Sequence, residues 1–256
     1  MDSVEIADPY LSRGELPTIR QALDASGVSV DCYDVYCSLN EWTASSRRRQ
    51  LNEVAAAFVR ASQLGSHRVL LLPEATDHSV SPVVARARYG EVLREGLAIG
   101  RQLNVEVTVE CLGSQAQIAG TAAQILALRE RVGSELRVTY DAGNCVMAGE
   151  DSLDSLDRLS GLITHVHLKD WIVKPPQVDC RDRGDYPSVD GRCFEAVALG
   201  RGELPLHPVL DRLLEMRYSG ALSIEYEGPD DSTNAVRAGV AFLQSFLQSR
   251  QPPSAR

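Results

Sequence analysis

The amino-acid sequence predicts a parallel (β/α) barrel, a TIM barrel, on three observations. Short apolar runs of strand type alternate with segments of helical spacing along most of the 256 residues. No GxGxxG or phosphate-loop motif follows the first run, as an open doubly wound sheet would be expected to show. Four successive strands carry apolar residues on one face and mostly polar or charged residues on the other, as in a barrel whose interior turns polar at its mouth.

Along the chain, strands are expected at 4–7, 28–35, 68–73, 105–111, 137–141, 165–169 and 221–227, most of them rich in Val, Ile, Leu or Tyr. Between them, apolar spacing of helical period marks 16–25, 47–64, 89–103, 115–132, 153–159, 208–216 and 235–247. Gly27, Gly65, Gly133, Gly161 and Gly220 end or follow several of these, where helix C-caps favour glycine. Segment 171–201 is rich in Pro, Gly, Asp and Arg, and no new domain's worth of apolar periodicity follows it. It reads as a functional loop over the mouth rather than a linker. Residues 1–250 are expected to form one barrel domain and 251–256 a disordered tail.

Composition bounds the function. The hydrophobic fraction of 44% and charged fraction of 24% are ordinary globular usage and argue against a disordered chain. Lys and Arg number 26 against 35 Asp and Glu, a net charge of −9, which disfavours a nucleic-acid partner. Arg47-Arg48-Arg49 reads as a solvated surface, with attraction of an anionic substrate as the alternative. No apolar run is long enough to cross a bilayer, and the N-terminus lacks a basic-then-apolar leader pattern. The expectation is a cytoplasmic protein with no membrane partner. Cys32, Cys37, Cys111, Cys145, Cys180 and Cys193 form no CxxC pair and read as reduced thiols.

The polar strand faces carry the chemistry. Val105, Val107 and Val109 oppose Glu106, Thr108 and Glu110, and in the next strand Val138 and Tyr140 oppose Arg137, Thr139 and Asp141. Val166 and Leu168 then oppose His165, His167 and Lys169, and Leu222, Ile224 and Tyr226 oppose Ser223, Glu225 and Glu227. Intervening helices make the sheet parallel and cover its outer side, so the polar faces turn inward. Acids placed there are costly unless paired or bound to a cation. Glu110, Asp141, His167 and Glu225 would supply three carboxylates and an imidazole, a donor set that suits Mn²⁺, Mg²⁺, Co²⁺ or Zn²⁺.

Five motifs occur in a fixed order: Glu110-Cys111 at a strand end, Asp141-Ala142-Gly143-Asn144, the run from His165 to Asp170 (HVHLKD), Leu199-Gly200-Arg201-Gly202-Glu203, and Ser223-Ile224-Glu225-Tyr226-Glu227. In these the chain resembles the xylose isomerase-like barrel superfamily of sugar phosphate isomerases and epimerases, over nearly all of residues 1–230. The resemblance implies that Glu110, Asp141, His167 and Glu225 ligate a divalent metal. It further implies that Glu110 and Glu225 are the catalytic proton-transfer pair, working through a metal-bound enediolate of a sugar or sugar phosphate. Lys169, on the same face, is expected to bind a substrate oxygen, and Asn144 stands where several relatives have a substrate-contacting histidine.

Other residues carry weaker expectations. His165 shares the inward face one layer deeper, as a satisfied core histidine; Asp170 orients a neighbour or caps the loop; Glu227 lies beside the site or beyond the strand end. Glu74 and His78 read as solvated loop residues, and Trp42 as a packing residue or a sugar-stacking one.

Dehydration of a ketocyclitol on the same metal is the rival enzymatic reading, and a non-catalytic sugar-binding barrel is the non-enzymatic one. An apurinic endonuclease of the same superfamily would need further histidines, and after His167 there is only His207. The expected partner is a small sugar, sugar phosphate or cyclitol, and a homo-oligomer is allowed. Seven strands are recognised against the eight of a closed barrel. The first, Val4-Glu5-Ile6, is similar to the second strand of the family, so the first βα unit is expected to be missing.

Overall fold

A computed structural model describes residues 2–11, 14–77, 79–113, 115–175 and 179–250. The expectations for His78 and for the tail 251–256 lie outside them. The elements are β1 (Ser3–Ala7), α1 (Leu16–Ser26), β2 (Ser29–Cys37), α2 (Ala44–Gln63), β3 (Arg68–Pro73), α3 (Pro82–Leu103) and β4 (Glu106–Glu110). There follow α4 (Ala116–Ala119), α5 (Ala122–Val132), β5 (Arg137–Asp141), α6 (Ala142–Met147), α7 (Ser152–Leu159), β6 (Ile163–Leu168) and β7 (Asp170–Val173). The chain then runs through β8 (Asp185–Pro187), β9 (Cys193–Val197), α8 (Leu206–Glu215), β10 (Leu222–Ile224) and α9 (Ser232–Arg250).

The seven expected strands form one parallel sheet in the order β1-β2-β3-β4-β5-β6-β10, wound into a nearly closed barrel. Side chains of the two end strands meet where Ser223 Oγ donates to Glu5 Oε2 at 2.7 Å. Beside them a cavity of about 630 Å³ opens, lined by Val4, Glu5 and Leu222 and by Val240, Leu243 and Leu247 of α9. Most of the buried apolar residues form one cluster between the sheet and its helices, with Tyr89 and Tyr140 fully buried. Each phenol satisfies its hydroxyl on a backbone carbonyl, of Leu71 and Ser152 respectively.

Capping chemistry explains where the elements depart from the apolar periodicity. Thr43 and Ser46 form a capping box that starts α2 at Ala44, so Arg47 to Arg49 lie exposed in its first turns, with Arg47 paired to Glu91 at 2.7 Å. Ser81 caps α3 and Pro82 opens it, seven residues before the apolar pattern begins. The single helix expected at 115–132 is two, because Thr121 and Gln124 make a fresh capping box after α4. α6 was not expected at all; Asp141 caps it from the end of β5.

Segment 171–201 is more ordered than a loop. β7, β9 and β8 form an antiparallel sheet over the mouth, with Met147, Trp171, Phe194 and Ala196 as its own core. This fold-back corrects the expectation of six free thiols. Cys180 and Cys193 are joined by a disulfide with Cα atoms 5.5 Å apart, whereas Cys32, Cys37, Cys111 and Cys145 are free and buried. A spacing of 13 residues carries no sign of the pairing; the antiparallel return of the chain creates it.

Candidate active site and metal centre

Parallel strands deliver their C-terminal ends to one mouth, so residues far apart in the chain meet there. Glu110 ends β4, Asp141 ends β5, His167 lies one residue before the end of β6, and Glu225 follows β10. Glu225 still donates its backbone N–H to Leu168 O at 3.0 Å, which extends the ladder and aims its side chain inward. The four side chains offer one ligand atom each, all within 4.8 Å of one another. His167 Nδ1 lies 2.9 Å from Glu110, 3.2 Å from Glu225 and 4.0 Å from Asp141.

Asp141 is fully buried, and its two oxygens face different ways. Oδ1 accepts the N–H groups of Gly143 and Asn144 at 2.7 and 2.8 Å, which fixes the carboxylate on the first turn of α6. Oδ2 is buried with no hydrogen-bond donor directed at it, and the Lys169 ammonium stands 3.0 Å away. Gly143 is required here: a Cβ would collide with Lys169 Cγ and Trp171 Nε1. Lys169 Nζ also reaches Glu225 at 2.7 Å, Glu227 at 3.2 Å and Asn144 Oδ1 at 3.4 Å.

The charges hold one another. Burial drives the Asp141 carboxyl well above the usual range, although Lys169 opposes it. Burial also works to raise Glu225, but His167 and Lys169 outweigh it, and this carboxyl titrates below the ordinary glutamate range. For His167 and Lys169 burial acts downward, yet the surrounding carboxylates overcome it and hold both well above their ordinary values.

A second, deeper layer supports the first. His165 is buried below His167, with Nε2 at 3.2 Å from Glu5 and Nδ1 at 2.9 Å from Asp31. Arg68 ties Asp31 and Glu106 at 2.6 and 2.9 Å. Asp170 points away from the cluster and accepts the N–H groups of Trp171, Gly200, Gly202 and Leu204, fastening the LGRGE turn under the lid sheet. Any side chain at Gly202 would strike the Asp170 carboxylate. Glu227 reaches the site through Lys169, whereas Glu74 is exposed. Trp42 packs on the main cluster with the Arg88 guanidinium 5.9 Å from its ring centroid.

Three acids of this neighbourhood escaped the sequence reading, Glu5, Asp31 and Asp34. Glu5 obeys the same parity rule as the others, since Val4 and Ile6 flank it, but it is the only charged residue on its face of the strand, between Ser3 and Ala7. Asp34 was hidden by a register shift: Val4 pairs with Val30 and Glu5 with Cys32, so Asp31 is an extra residue in the ladder. Asp31 and Asp34 then both face inward despite opposite parity, and burial beside Glu5 raises the Asp34 carboxyl well above the usual range.

Comparison with known proteins agrees with this architecture. The chain matches the xylose isomerase-like TIM barrel family over residues 1–246. An inosose dehydratase of Geobacillus kaustophilus is 30% identical over 111 residues, 43% of this chain and 36% of that protein, so the match spans about a third of the relative's length. A D-tagatose 3-epimerase-like protein superposes with a TM-score of 0.76 at 19% identity, over 97% of this chain and 89% of that one. The IolI protein with a bound zinc atom superposes at 0.75 and 17% identity, over 98% and 89%. With seven parallel strands, alternating helices and a family match over nearly its whole length, the chain belongs to the xylose isomerase-like TIM barrel family.

Proposed function

We propose that the chain is a divalent-metal-dependent isomerase or epimerase of a sugar or sugar phosphate. One observation carries this reading: Glu110, Asp141, His167 and Glu225 converge from four strand ends with their ligand atoms within 4.8 Å. The donor set fits Mn²⁺, Mg²⁺, Co²⁺ or Zn²⁺, and the buried Asp141 Oδ2 is already paired with one cation, the Lys169 ammonium at 3.0 Å. A bound ion would act as a Lewis acid on the carbonyl and adjacent hydroxyl of a ketose, acidifying the neighbouring C–H.

The chain's own residues do the rest. Glu110 and Glu225 both approach His167 Nδ1, at 2.9 and 3.2 Å, and so line one small space. One removes the proton from the substrate carbon to give an enediolate, and the other returns a proton to it. Lys169, already held beside Asp141 and Glu225, donates to a substrate oxygen as negative charge develops. Asn144 stands beside Lys169 and offers its amide to a hydroxyl. Trp171 and Phe194, buried under the lid sheet, keep that side of the mouth dry.

Dehydration of a ketocyclitol is the second reading, favoured by the likeness to inosose dehydratase. The same two carboxylates would then remove a proton and protonate a departing hydroxyl. Proton NMR in heavy water, with Mn²⁺ and a panel of ketoses, ketose phosphates and ketoinositols, tests both. Deuterium incorporation without loss of water supports epimerisation; a dehydrated product supports the second reading. Glu225→Gln should fold yet lose exchange at the substrate carbon, and exchange at the parent rate would remove Glu225 from proton transfer.

A further inference from the structure

Glu5 comes from β1, at one end of the sheet, and reaches across the interior to β6 and β10 near the other. Both of its carboxylate oxygens lie 2.9 to 3.0 Å from His167 Nε2. Oε2 also stands 3.2 Å from His165 Nε2 and accepts the Ser223 hydroxyl at 2.7 Å. The carboxylate is thus held by His167, His165 and Ser223, with Asp34 and Cys32 of β2 also in hydrogen-bond contact, and of these only His167 belongs to the four-residue cluster. His165 is itself braced on its far side by Asp31 at 2.9 Å, so Glu5 leans on a fixed support.

The two ring nitrogens of His167 therefore meet different partners. Nε2 faces Glu5, while Nδ1 faces Glu110, Glu225 and Asp141. A neutral imidazole carries one N–H, and an ionised carboxylate can only accept. When a cation displaces the Nδ1 proton of the His167 imidazolium, contact with Glu5 keeps the remaining hydrogen on Nε2 and leaves the Nδ1 lone pair to the cluster. We propose that Glu5 is the positioning residue of the metal centre: it selects the His167 tautomer, and fixes the ring orientation, that lets Nδ1 coordinate a divalent ion. This rests on the preceding reading that Glu110, Asp141, His167 and Glu225 bind that ion.

A plain strand-to-strand tie is the competing role, and Ser223 supplies the control. Its hydroxyl bonds the same carboxylate from β10, rather than His167, its register partner on β6. Mn²⁺ binding is measured by titration calorimetry for the parent, Glu5→Ala, Glu5→Gln and Ser223→Ala, with folding checked by circular dichroism. Glu5→Ala should bind Mn²⁺ about 10- to 100-fold more weakly, as loss of a ligand's outer hydrogen-bond partner does. Glu5→Gln, whose amide oxygen still accepts, should stay within about tenfold of the parent and closer to it than Glu5→Ala. Ser223→Ala should stay within about threefold, since His167 keeps its own partner. In the Zn²⁺-loaded parent, nitrogen-15 NMR should place the His167 hydrogen on Nε2.

Equal losses in Glu5→Ala and Ser223→Ala would overturn the proposal, as would parent-like affinity in Glu5→Ala or a hydrogen on Nδ1 in the loaded parent. Should Glu5→Ala not fold, the NMR assignment and Glu5→Gln decide by the same criteria. A parent that binds no divalent ion would overturn the four-residue reading itself, and this proposal with it.

Discussion

Strands β3, β4 and β5 bury every residue after the first, whereas every residue of β1 and β10 stays half-exposed. The helices follow suit: α3 buries eight residues, α9 three and α1 none. Composition does not cause the difference, because Val4, Ile6, Leu222 and Ile224 are as apolar as Val107 and Val109. A strand is buried when it has neighbours on both edges, and a sheet of seven strands leaves two edges beside a cavity. The candidate site straddles the two regions. Glu110, Asp141 and His167 stand on the buried arc, while Glu225 and Glu5 come from the open flank.

The largest test of this contrast is a matched pair of truncations. Leu71→Ala, at a fully buried position of β3, should cost about 2–5 kcal/mol in urea unfolding. Ile224→Ala on β10 should cost less, about 1 kcal/mol, because its side chain is only partly buried. Equal costs would erase the distinction between arc and flank.

Acid should act on the flank first. His165 holds the Asp31 carboxyl below its ordinary 3.8; at Glu5, burial pushes upward but His167 and His165 overcome it and hold the carboxyl well below 4.5. A carboxyl lowered by folding stabilises fully above its unfolded value, and that contribution fades as pH falls through the lower folded value. Amide-exchange protection factors in β1 and β2 should therefore drop between about pH 5 and pH 2, before those of β4 and β5. Simultaneous loss across the sheet would contradict this order.

A smaller effect than that of Leu71→Ala is expected of Ser223→Ala, which removes one hydrogen bond to a carboxylate between β10 and β1. A loss of about 1–2 kcal/mol is anticipated. Faster amide exchange should appear in β1 and β10 without change in β4; a uniform change would mean that the flank and the arc open together.

Parity along single strands made Glu110, Asp141, His167 and Glu225 legible, because a buried charge on an otherwise apolar ladder is conspicuous whatever lies around it. Glu5 obeys the same rule, but its neighbours on that face are Ser3 and Ala7, so a single charge carries the pattern. Asp34 was not readable, as the irregular register at Asp31 reverses parity and leaves no compositional trace. The three-stranded lid and the Cys180–Cys193 bond escaped for a related reason: the lid's strands are three to five residues long and stabilise one another only after the chain has folded back.

Local chemistry thus determined much of this protein from the sequence alone: alternation of strands and helices, the inward face of each central strand, and the residue types available for a metal. Tertiary structure decided which of those residues meet. His165 and His167 share a strand and a face, yet His165 is spent on Asp31 and Glu5, while Nδ1 of His167 faces the three acids of the cluster. Glu5 reaches His167 across 162 positions of sequence. Height along the barrel axis and the neighbour across it are set by the tilt and stagger of strands, and no single strand encodes either.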